Sequence, residues 1–304
     1  MHFNDKIFYI QGMKNVDINA YKAIKDVNLA EIPTFENFGV TDKELKKDLE
    51  KIREDLGDFQ DTLYAHGKYS VLVCLQGMDT SGKDSLIREV FKDFNVRGVV
   101  VHSFKVPTEL ELKHDYIWRH YIALPARGKF GVFNRTHYEN VLVTRVHPEY
   151  ILGENIPSVN SVSDIDQKFW DARFEQINNF EKHIVDNGTI VFKFFLHLSK
   201  EEQRQRLLRR LRLKEKNWKF SPGDLKERKL WEEYQRCYQE AINNTSKEHA
   251  PWFVVPADNK KAARVIVAQV LLEELKKYKD IVEPELDDKI KANLETYNQQ
   301  LENE

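Results

Sequence analysis

The strongest constraint in the sequence is a glycine-bearing turn between an apolar run and a helical run. The apolar run VLVCLQ occupies residues 71–76, and the turn GMDTSGKD at 77–84 leads into SLIREVFKDF. In this G-x-x-x-x-G-K spacing, successive backbone N–H groups and a helix N-terminus face an anion, and the lysine adds a mobile positive charge. A chance glycine-rich turn is the alternative, but a strand before it and a helix after it favour phosphate binding. The predicted phosphate ligands in the turn are Gly77, Thr80, Ser81, Gly82, Lys83 and Asp84.

Two carboxylates in this turn predict a cation nearby. The residue after the lysine usually supplies a hydroxyl to Mg²⁺, and here it is Asp84. Asp79 lies inside the turn, where an acidic group repels phosphate unless a cation or a proton-transfer role offsets the repulsion. We therefore expect Mg²⁺, with Asp79 as its ligand or as a base toward the accepting phosphate. Asp84 is more simply explained as a charge favoured by the helix dipole.

The rest of the chain alternates apolar runs with helical spacing. Further predicted strands lie at 98–104, 130–134, 189–196 and 252–257, and predicted helices lie at 109–122, 163–186 and 260–279. This order predicts an α/β fold, with a mostly parallel sheet and helices on both faces. We expect an arm and a helix packing on the core over 1–69, a core over 70–280 and an acidic tail over 281–304. The helix begins after Thr41, which with Glu44 predicts a capping box.

Composition excludes several classes of protein. The chain has 304 residues, and 47 basic residues against 49 acidic ones give a formal net charge of −2. No global field therefore draws it to nucleic acid or to a membrane surface. No apolar run approaches the roughly 18 residues of a membrane span. Two cysteines and no secretory pattern at the start favour a cytoplasmic protein.

Cations and a strand end add to the predicted phosphate site. The strand at 130–134 ends with Asn134, where phosphate-binding folds often place an aspartate, and Arg135 follows it. The carboxyl end of a strand in an open α/β sheet is where ligands bind, and a guanidinium there suits phosphate. Arg119, Arg127 and Lys129 lead into the same strand and are candidate phosphate ligands, although surface charge explains the two arginines equally well.

A basic segment predicts a lid. Residues 199–220 carry five arginines and four lysines against three glutamates, a local charge of +6 that leaves the remaining chain at −8. Leu207, Leu208 and Leu211 predict an apolar stripe on a helix with one basic face. A solvated face is the usual explanation of such a run. Downstream of a phosphate cradle, the segment is instead typical of a mobile lid. The candidate polyanion ligands here are Arg206, Arg209, Lys216 and Lys219.

With these residues in view, the chain resembles the polyphosphate kinase 2 family from about residue 27 to 280. The motifs that carry the resemblance are GMDTSGKD at 77–84, WRHYIALPARGKFGVFNRTHYENVLV at 118–143, WKFSPGD at 218–224 and APWFVVPADNK at 250–260. The resemblance implies a P-loop kinase fold with a helical lid over 199–224. It also implies Mg²⁺, which Mn²⁺ can replace, and catalytic roles for Asp79, Lys83, Arg135 and the lid residue Arg210. FNRTHYE is similar to the family's third class, which suggests nucleotide binding by Asn134, Arg135 and Glu139.

The implied activity is reversible phosphoryl transfer from inorganic polyphosphate to AMP and ADP, giving ADP and ATP, with guanine nucleotides also accepted. The N-terminal helix is consistent with a homodimer or a homotetramer. Two alternatives remain open on the sequence alone. One is an ATP-dependent nucleoside monophosphate kinase on the same fold, and the other is a non-catalytic P-loop module that binds phosphate or nucleotide.

Overall fold

Five apolar segments form one parallel sheet. The structure, a computed structural model, describes residues 16–24 and 26–304. The strands are β1 (Ser70–Gln76), β2 (Val99–Ser103), β3 (Phe130–Asn134), β4 (Thr189–His197) and β5 (Trp252–Pro256). They lie in the order β2-β3-β1-β4-β5, and every neighbouring pair is parallel. Each predicted strand is present within one residue at either end, which confirms the predicted fold class.

Helices cover both faces of the sheet. They are α1 (Asp42–His66), α2 (Lys83–Val90), α3 (Trp118–Tyr121), α4 (Val143–Val146), α5 (Gln167–Asp186), α6 (Lys200–Arg212), α7 (Pro222–Lys229), α8 (Trp231–Thr245), α9 (Lys260–Leu275) and α10 (Asp288–Glu302). The predicted capping box of α1 is present, because Thr41 and Glu44 bond reciprocally. Among the described residues, none of these helices combines the length and the apolar content that a membrane crossing requires.

The alternation of side chains along β1 explains the layers. Val71, Val73 and Leu75 pack with α1, α2 and α9 in one core, while Leu72 and Cys74 pack with α5 in another. All seven residues of β1 are buried. A parallel strand buried on both faces reads as a continuous apolar run, and this is why the sequence identifies it so clearly.

The predicted phosphate-binding turn, residues 77–82, which we call the phosphate loop, lies where the strand order reverses. β1 has β3 on one side and β4 on the other, with Leu75 opposite Asn134 and Gln76 opposite Phe195. The turn at 77–82 and the residues after Asn134 therefore emerge at the same carboxyl edge of the sheet. In open α/β sheets this switch point forms the crevice in which ligands bind.

Two predicted helical segments differ in the structure. The segment 109–122 is divided into a 3-10 turn (Glu111–Lys113) and the short helix α3, because Asp115 accepts from the N–H groups of Ile117 and Trp118 and starts a new turn there. The lid helix ends at Arg212, since the Asn217 side chain donates to carbonyl groups in its last turn. The predicted acidic tail contains α10, an exposed helix in which no residue is buried. The first fifteen residues of the predicted arm lie outside the described residues, and the domain boundaries stay predictions.

A buried lysine and glutamate lie beneath the segment that follows β3. The Lys193 ammonium donates to Glu181 Oε2 at 2.6 Å, to the Tyr138 hydroxyl at 2.9 Å and to the Thr245 carbonyl at 2.7 Å, so its three donors are satisfied. Neither charged side chain is exposed. Burial would raise the pKa of Glu181, but Lys193 and His137 hold this pKa below its usual range. The network ties β4 and α5 to Tyr138, three residues beyond Arg135.

Replacing Lys193 should therefore be costly. Lys193→Met leaves a buried carboxylate without its cation, and the free energy of unfolding should fall by about 3–5 kcal/mol. Denaturant titration measures the loss. The exposed pair of Lys182 and Asp186 on α5 provides the control, since Lys182→Met should cost less than about 1 kcal/mol. Equal losses in the two variants would contradict a stabilising role for the network.

Candidate active site

The phosphate loop has a backbone shape that glycine permits at two points. Gly77 has φ +150° and Gly82 has φ +110°, and Thr80 between them also lies in the left-handed region at φ +67°. A Cβ on Gly77 would lie 2.9 Å from the Leu196 carbonyl oxygen, so the loop passes too close to β4 for any side chain. This path leads directly into the N-terminus of α2, where backbone N–H groups are free to face an anion.

Lys83 crosses the mouth of the loop. Its ammonium donates to the Gly77 carbonyl at 2.5 Å and lies 3.4 Å from the Met78 carbonyl oxygen. Burial lowers the pKa of Lys83, and the Arg135 guanidinium lowers it further, although the carboxylates of Asp79 and Glu139 act in the opposite direction. A cation held in an unfavourable position in this way gains stability when an anion binds.

Arg135 follows β3 in the left-handed conformation, with φ +60°. Its Nη2 lies 3.2 Å from Asp79 Oδ1 and its Nη1 lies 3.6 Å from Glu139 Oε2. Burial would lower the pKa of Arg135, but Glu139 and Asp79 outweigh it and hold this pKa above its usual range. The side chain is still 45% exposed and can turn toward a ligand. The structure thus brings together four of the predicted residues, Asp79, Lys83, Arg135 and Glu139.

Asn134 joins the end of β3 to the start of α2. Its Nδ2 donates to Asp84 Oδ1 at 2.6 Å and lies 3.4 Å from Ser103 Oγ. Asp84 is exposed at the first turn of α2, in agreement with its interpretation as a helix-terminal charge. Among the described residues, no group of three His, Cys, Asp or Glu side chains is placed to hold a metal ion. Any metal here would need most of its ligands from substrate and water.

Arg206 of α6 has all five of its N–H groups occupied. Nε donates to Glu202 at 2.7 Å, Nη1 donates to the carbonyls of Thr80 and Ser81 at 3.0 Å each, and Nη2 donates to those of Ala257 and Asp258 at 2.7 and 2.8 Å. This side chain is buried and fastens the lid helix to the outside of the phosphate loop. Its predicted contact with phosphate stays a prediction, and in this structure it holds the loop instead.

The other lid residues lie along and beyond α6. Gln203 donates to the Asp79 carbonyl at 3.1 Å, while Arg210 pairs with Asp224 at 2.9 Å and donates to the Lys219 carbonyl at 3.1 Å. Burial raises the pKa of Asp224, and Asp79 raises it further, so this pair lies within electrostatic range of the loop. The face of α6 that is buried carries Gln203, Arg206 and Leu207, whereas Leu211 of the predicted stripe is 48% exposed.

Two of the three cations that lead into β3 lie away from the loop. Arg127 donates to the Lys68 carbonyl, which precedes β1, and Lys129 directly precedes β3. Both therefore lie at the amino edge of the sheet, and β1 is seven residues long, so the phosphate loop is roughly 20 Å away. Arg119 lies 3.3 Å from Glu111 and over the ring of Phe104, which follows the carboxyl end of β2, and it lies within electrostatic range of Glu139. Its predicted contact with phosphate stays a prediction, whereas Arg127 and Lys129 are at the opposite edge from the loop.

Sequence reasoning missed four residues that the structure places beside the loop or the lid. They are Gln203, Asp224, Arg228, which donates to Gln203, and Lys260, which lies next to Gly82. Asp224 and Lys260 lie within the motifs quoted above, but nothing in those motifs indicates which partners they have. Only the packing of α6, α7 and α9 around the loop shows which partners these residues have.

The backbone at Gly77 provides a test of the loop. Gly77→Ala adds a Cβ that meets the Leu196 carbonyl at a left-handed φ, and the free energy of unfolding should fall by about 1–3 kcal/mol. Denaturant titration measures it. Gly153→Ala is the matched control, because a Cβ there meets nothing within 4 Å, and it should change stability by less than about 0.5 kcal/mol. A Gly77→Ala variant with an unchanged free energy of unfolding would contradict the described path of the loop.

The electrostatics at Lys83 predict a pH effect. Because burial and Arg135 lower its pKa, the Lys83 ammonium should deprotonate below the usual lysine value of about 10.4. Arg135→Gln removes one repulsive charge, so the midpoint should move to higher pH. NMR titration of isotope-labelled lysine measures the midpoint, with the signal assigned by its absence from Lys83→Arg. A midpoint that stays in place or falls in Arg135→Gln would contradict this account.

Comparison with known proteins extends these observations over most of the chain. The family model "Polyphosphate kinase 2 (PPK2)" matches residues 39–283. The chain is 47% identical over 226 residues to the ADP-polyphosphate phosphotransferase of Rhodopseudomonas palustris, covering 74% of this chain and 77% of that one. It is also 47% identical over 220 residues to the AMP/ADP-polyphosphate phosphotransferase of Meiothermus ruber, covering 72% and 77%. A crystal structure of polyphosphate kinase 2 from Arthrobacter aurescens TC1 superposes with a TM-score of 0.83 at 33% identity, over 92% of this chain and 95% of that one. The family model covers most of the chain and two relatives are 47% identical to it over the matched residues, so the chain belongs to the polyphosphate kinase 2 family.

Proposed function

We propose that this protein transfers a phosphoryl group between inorganic polyphosphate and the nucleotides AMP, ADP and ATP. The observation that carries the proposal is the convergence of Lys83, Arg135 and Asp79 at the mouth of one phosphate loop. The names of its relatives from Rhodopseudomonas palustris and Meiothermus ruber, which specify ADP and AMP/ADP, support this choice of substrates.

Two cations carry the electrostatic part of the mechanism. The phosphoryl group in transfer passes through a loose transition state, so catalysis consists mainly of positioning and charge stabilisation. The N–H groups at the start of α2 hold the phosphate oxygens, and Lys83 exchanges its bond to the Gly77 carbonyl for one to the anhydride. Arg135 turns from Asp79 toward the same group. Both movements are short because both side chains already lie at the mouth of the loop.

A divalent cation fits the residues at this mouth. Mg²⁺ is usually bound through one or two carboxylates together with substrate phosphates and water, and a single loop aspartate with exposed surface matches that pattern. The Asp79 side chain is 31% exposed. Among the described residues, no cluster of three His, Cys, Asp or Glu side chains offers the ion another site. We propose that Asp79 holds Mg²⁺, which Mn²⁺ can replace. The ion supplies charge neutralisation to the anhydride when it is bound.

The lid supplies a third cation in this proposal. Arg210 is 24% exposed and is paired with Asp224 within electrostatic range of Asp79. An approaching phosphate chain competes with Asp224 for the guanidinium, so substrate binding and lid closure favour each other. Lys216 and Lys219 lie on the turn beyond α6 and add positive charge to the closing segment.

The nucleotide lies on the β3 side of the mouth. Asn134 and Glu139 flank Arg135, and Glu139 already lies within 3.6 Å of its guanidinium. A carboxylate in this position changes its contact with Arg135 according to how many phosphates the nucleotide brings. Use of guanine nucleotides and assembly as a homodimer or a homotetramer stay predictions.

Loss of either cation at the mouth should abolish most of the activity. Lys83→Met and Arg135→Gln should each lower kcat by about 10²-fold or more, since each removes a preorganised group that stabilises charge in the transition state. Arg236→Gln, which removes an exposed cation from α8, is the control and should keep wild-type rates. Coupled assay of ATP formation from polyphosphate and ADP gives kcat. Near-wild-type rates in Lys83→Met would overturn the assignment.

The choice of substrates is tested separately. Purified protein is incubated with Mg²⁺, polyphosphate and one of AMP, ADP, GMP or GDP, and the products are resolved by chromatography. Product that forms only with polyphosphate supports the proposal. Product that forms from ATP and AMP alone would instead identify a nucleoside monophosphate kinase. Saturable binding without any product would identify a non-catalytic module.

A further inference from the structure

Three consecutive side chains after Arg135 are fully buried, although each of them carries a polar group. Thr136, His137 and Tyr138 have no exposed surface. The residues on either side, Arg135 and Glu139, lie at the mouth of the phosphate loop and stay partly exposed, at 45% and 24% of their side chains. A polar group is costly to bury unless it is hydrogen-bonded. The partners of the three buried side chains therefore indicate what holds this segment in place.

Thr136 ties the segment to the end of β1. Its Oγ1 accepts from Gln76 Nε2 at 3.1 Å and from the Tyr138 N–H at 3.1 Å. Gln76 is the last residue of β1 and directly precedes the phosphate loop. One hydroxyl therefore joins the start of the loop to the residue that follows Arg135.

Glu181 of α5 holds the next two residues from below. Its Oε1 lies 3.1 Å from His137 Nε2 and accepts from the Tyr138 hydroxyl at 2.7 Å. Because Lys193 donates to the other oxygen of Glu181, this carboxylate is charged and can only accept. The proton of His137 therefore lies on Nε2. Among the described residues His137 Nδ1 has no hydrogen-bond partner, so the bond to Glu181 is the one that orients the ring.

The buried segment begins directly after a strained residue. Arg135 has φ +60°, and a residue other than glycine keeps such a conformation only where the surrounding structure enforces it. On one side β3 holds Asn134, which lies opposite Leu75 of β1. On the other side the buried segment holds Thr136 and His137. Relaxation of Arg135 would require these two side chains to leave their partners.

The same segment sets the position of Glu139. The Glu139 N–H donates to the Thr136 carbonyl at 3.0 Å, within the 3-10 turn His137–Val141. This turn brings the carboxylate to 3.6 Å from the Arg135 guanidinium. Both charged residues on the β3 side of the mouth therefore take their positions from one buried segment.

We propose that the bond between His137 and Glu181 positions the Arg135 guanidinium for the phosphoryl group in transfer, so that both are positioning residues. This proposal rests on the proposed function, in which the Arg135 side chain turns from Asp79 toward that group. A movement of the side chain alone requires a backbone that stays fixed. Loss of the bond should therefore leave the substrates bound and lower the rate at which they react.

A double-mutant cycle tests whether His137 acts through Arg135. His137→Phe keeps a ring of similar size but cannot donate to Glu181, and it should lower kcat about tenfold with KM changed less than about threefold. In an Arg135→Gln background the same substitution should lower kcat less than about twofold, because the group that it misplaces is already gone. Coupled assay of ATP formation from polyphosphate and ADP gives both constants.

Two further variants separate positioning from stability. His137→Gln again offers an Nε2 donor to Glu181, so kcat should return to within about threefold of the wild-type value. Arg173→Met is the matched control, because it breaks the buried ion pair of Arg173 and Glu154 on the same helix as Glu181, about 12 Å away along α5. It should lower the free energy of unfolding and leave kcat unchanged.

The cycle can overturn the positioning role in two ways. A tenfold loss of kcat from His137→Phe in both backgrounds would make the effect independent of Arg135. An unchanged kcat in His137→Phe would show that the bond to Glu181 is not needed. If His137→Phe does not fold, Tyr138→Phe takes its place in the cycle. It removes only the hydroxyl that donates to Glu181 and should lower kcat about threefold in the wild-type background alone.

Failure of the proposed function gives a different result. Wild-type protein that forms no ATP from polyphosphate would overturn that function alone. The same cycle is then measured on the Kd of pyrophosphate by calorimetry, which does not depend on turnover. Weakening by His137→Phe only where Arg135 is present would support the positioning role, and equal weakening in both backgrounds would overturn it as well.

Discussion

The fastening of α6 to the phosphate loop by Arg206 is the interaction on which the candidate site depends. One guanidinium joins four backbone carbonyls, two from the loop and two from the segment after β5, at 2.7–3.0 Å. Because Arg206 holds the carbonyls of Thr80 and Ser81 from outside, these carbonyls point away from the mouth of the loop and the path of the loop is fixed. The same side chain closes one wall of a neighbouring cavity, which lies between α6 and the start of α9. Only arginine offers five donors in a rigid planar fork, so lysine cannot replace it here.

Charge is balanced in the core and left unbalanced at the mouth. Beneath the segment after β3, Lys193 and Glu181 are both fully buried, and the lysine has all of its donors satisfied. At the mouth, Lys83 feels the repulsion of Arg135, and Arg135 and Thr80 hold left-handed backbone conformations that cost energy without glycine. This buried hydrogen-bonded network supports the strained and charged residues at the mouth of the loop from below.

The sheet could be predicted because four of its five strands are mostly buried, while the edge strand β2, which has no buried residue, is still identified by its run of three valines. Continuous apolar runs bounded by glycine or proline identify all five within a residue, and their alternation with helices gives the parallel order. Lys193 interrupts one of these runs, but its partner Glu181 lies on α5 and no local pattern pairs them. The lid helix ends at Arg212 because Asn217 reaches back to its carbonyls, and such a contact has no signature in a charge run.

The site residues could be predicted where their position relative to a strand decides at which edge of the sheet they lie. Residues that follow a parallel strand lie at the edge where ligands bind, so Asp79, Lys83 and Arg135 converge as expected. The same rule places Arg127 and Lys129 at the opposite edge, because both precede β3. Their positive charge suggests phosphate binding but does not indicate at which edge of the sheet they lie.

On α6, composition cannot distinguish arginines that bond to other parts of the chain from arginines that line the neighbouring cavity. Helical geometry separates them once one face is fixed, because Arg206 and Arg210 lie 40° apart while Arg209 and Arg212 lie on the neighbouring side. The face that carries Arg206 meets the phosphate loop, and this contact alone turns the other face toward the cavity.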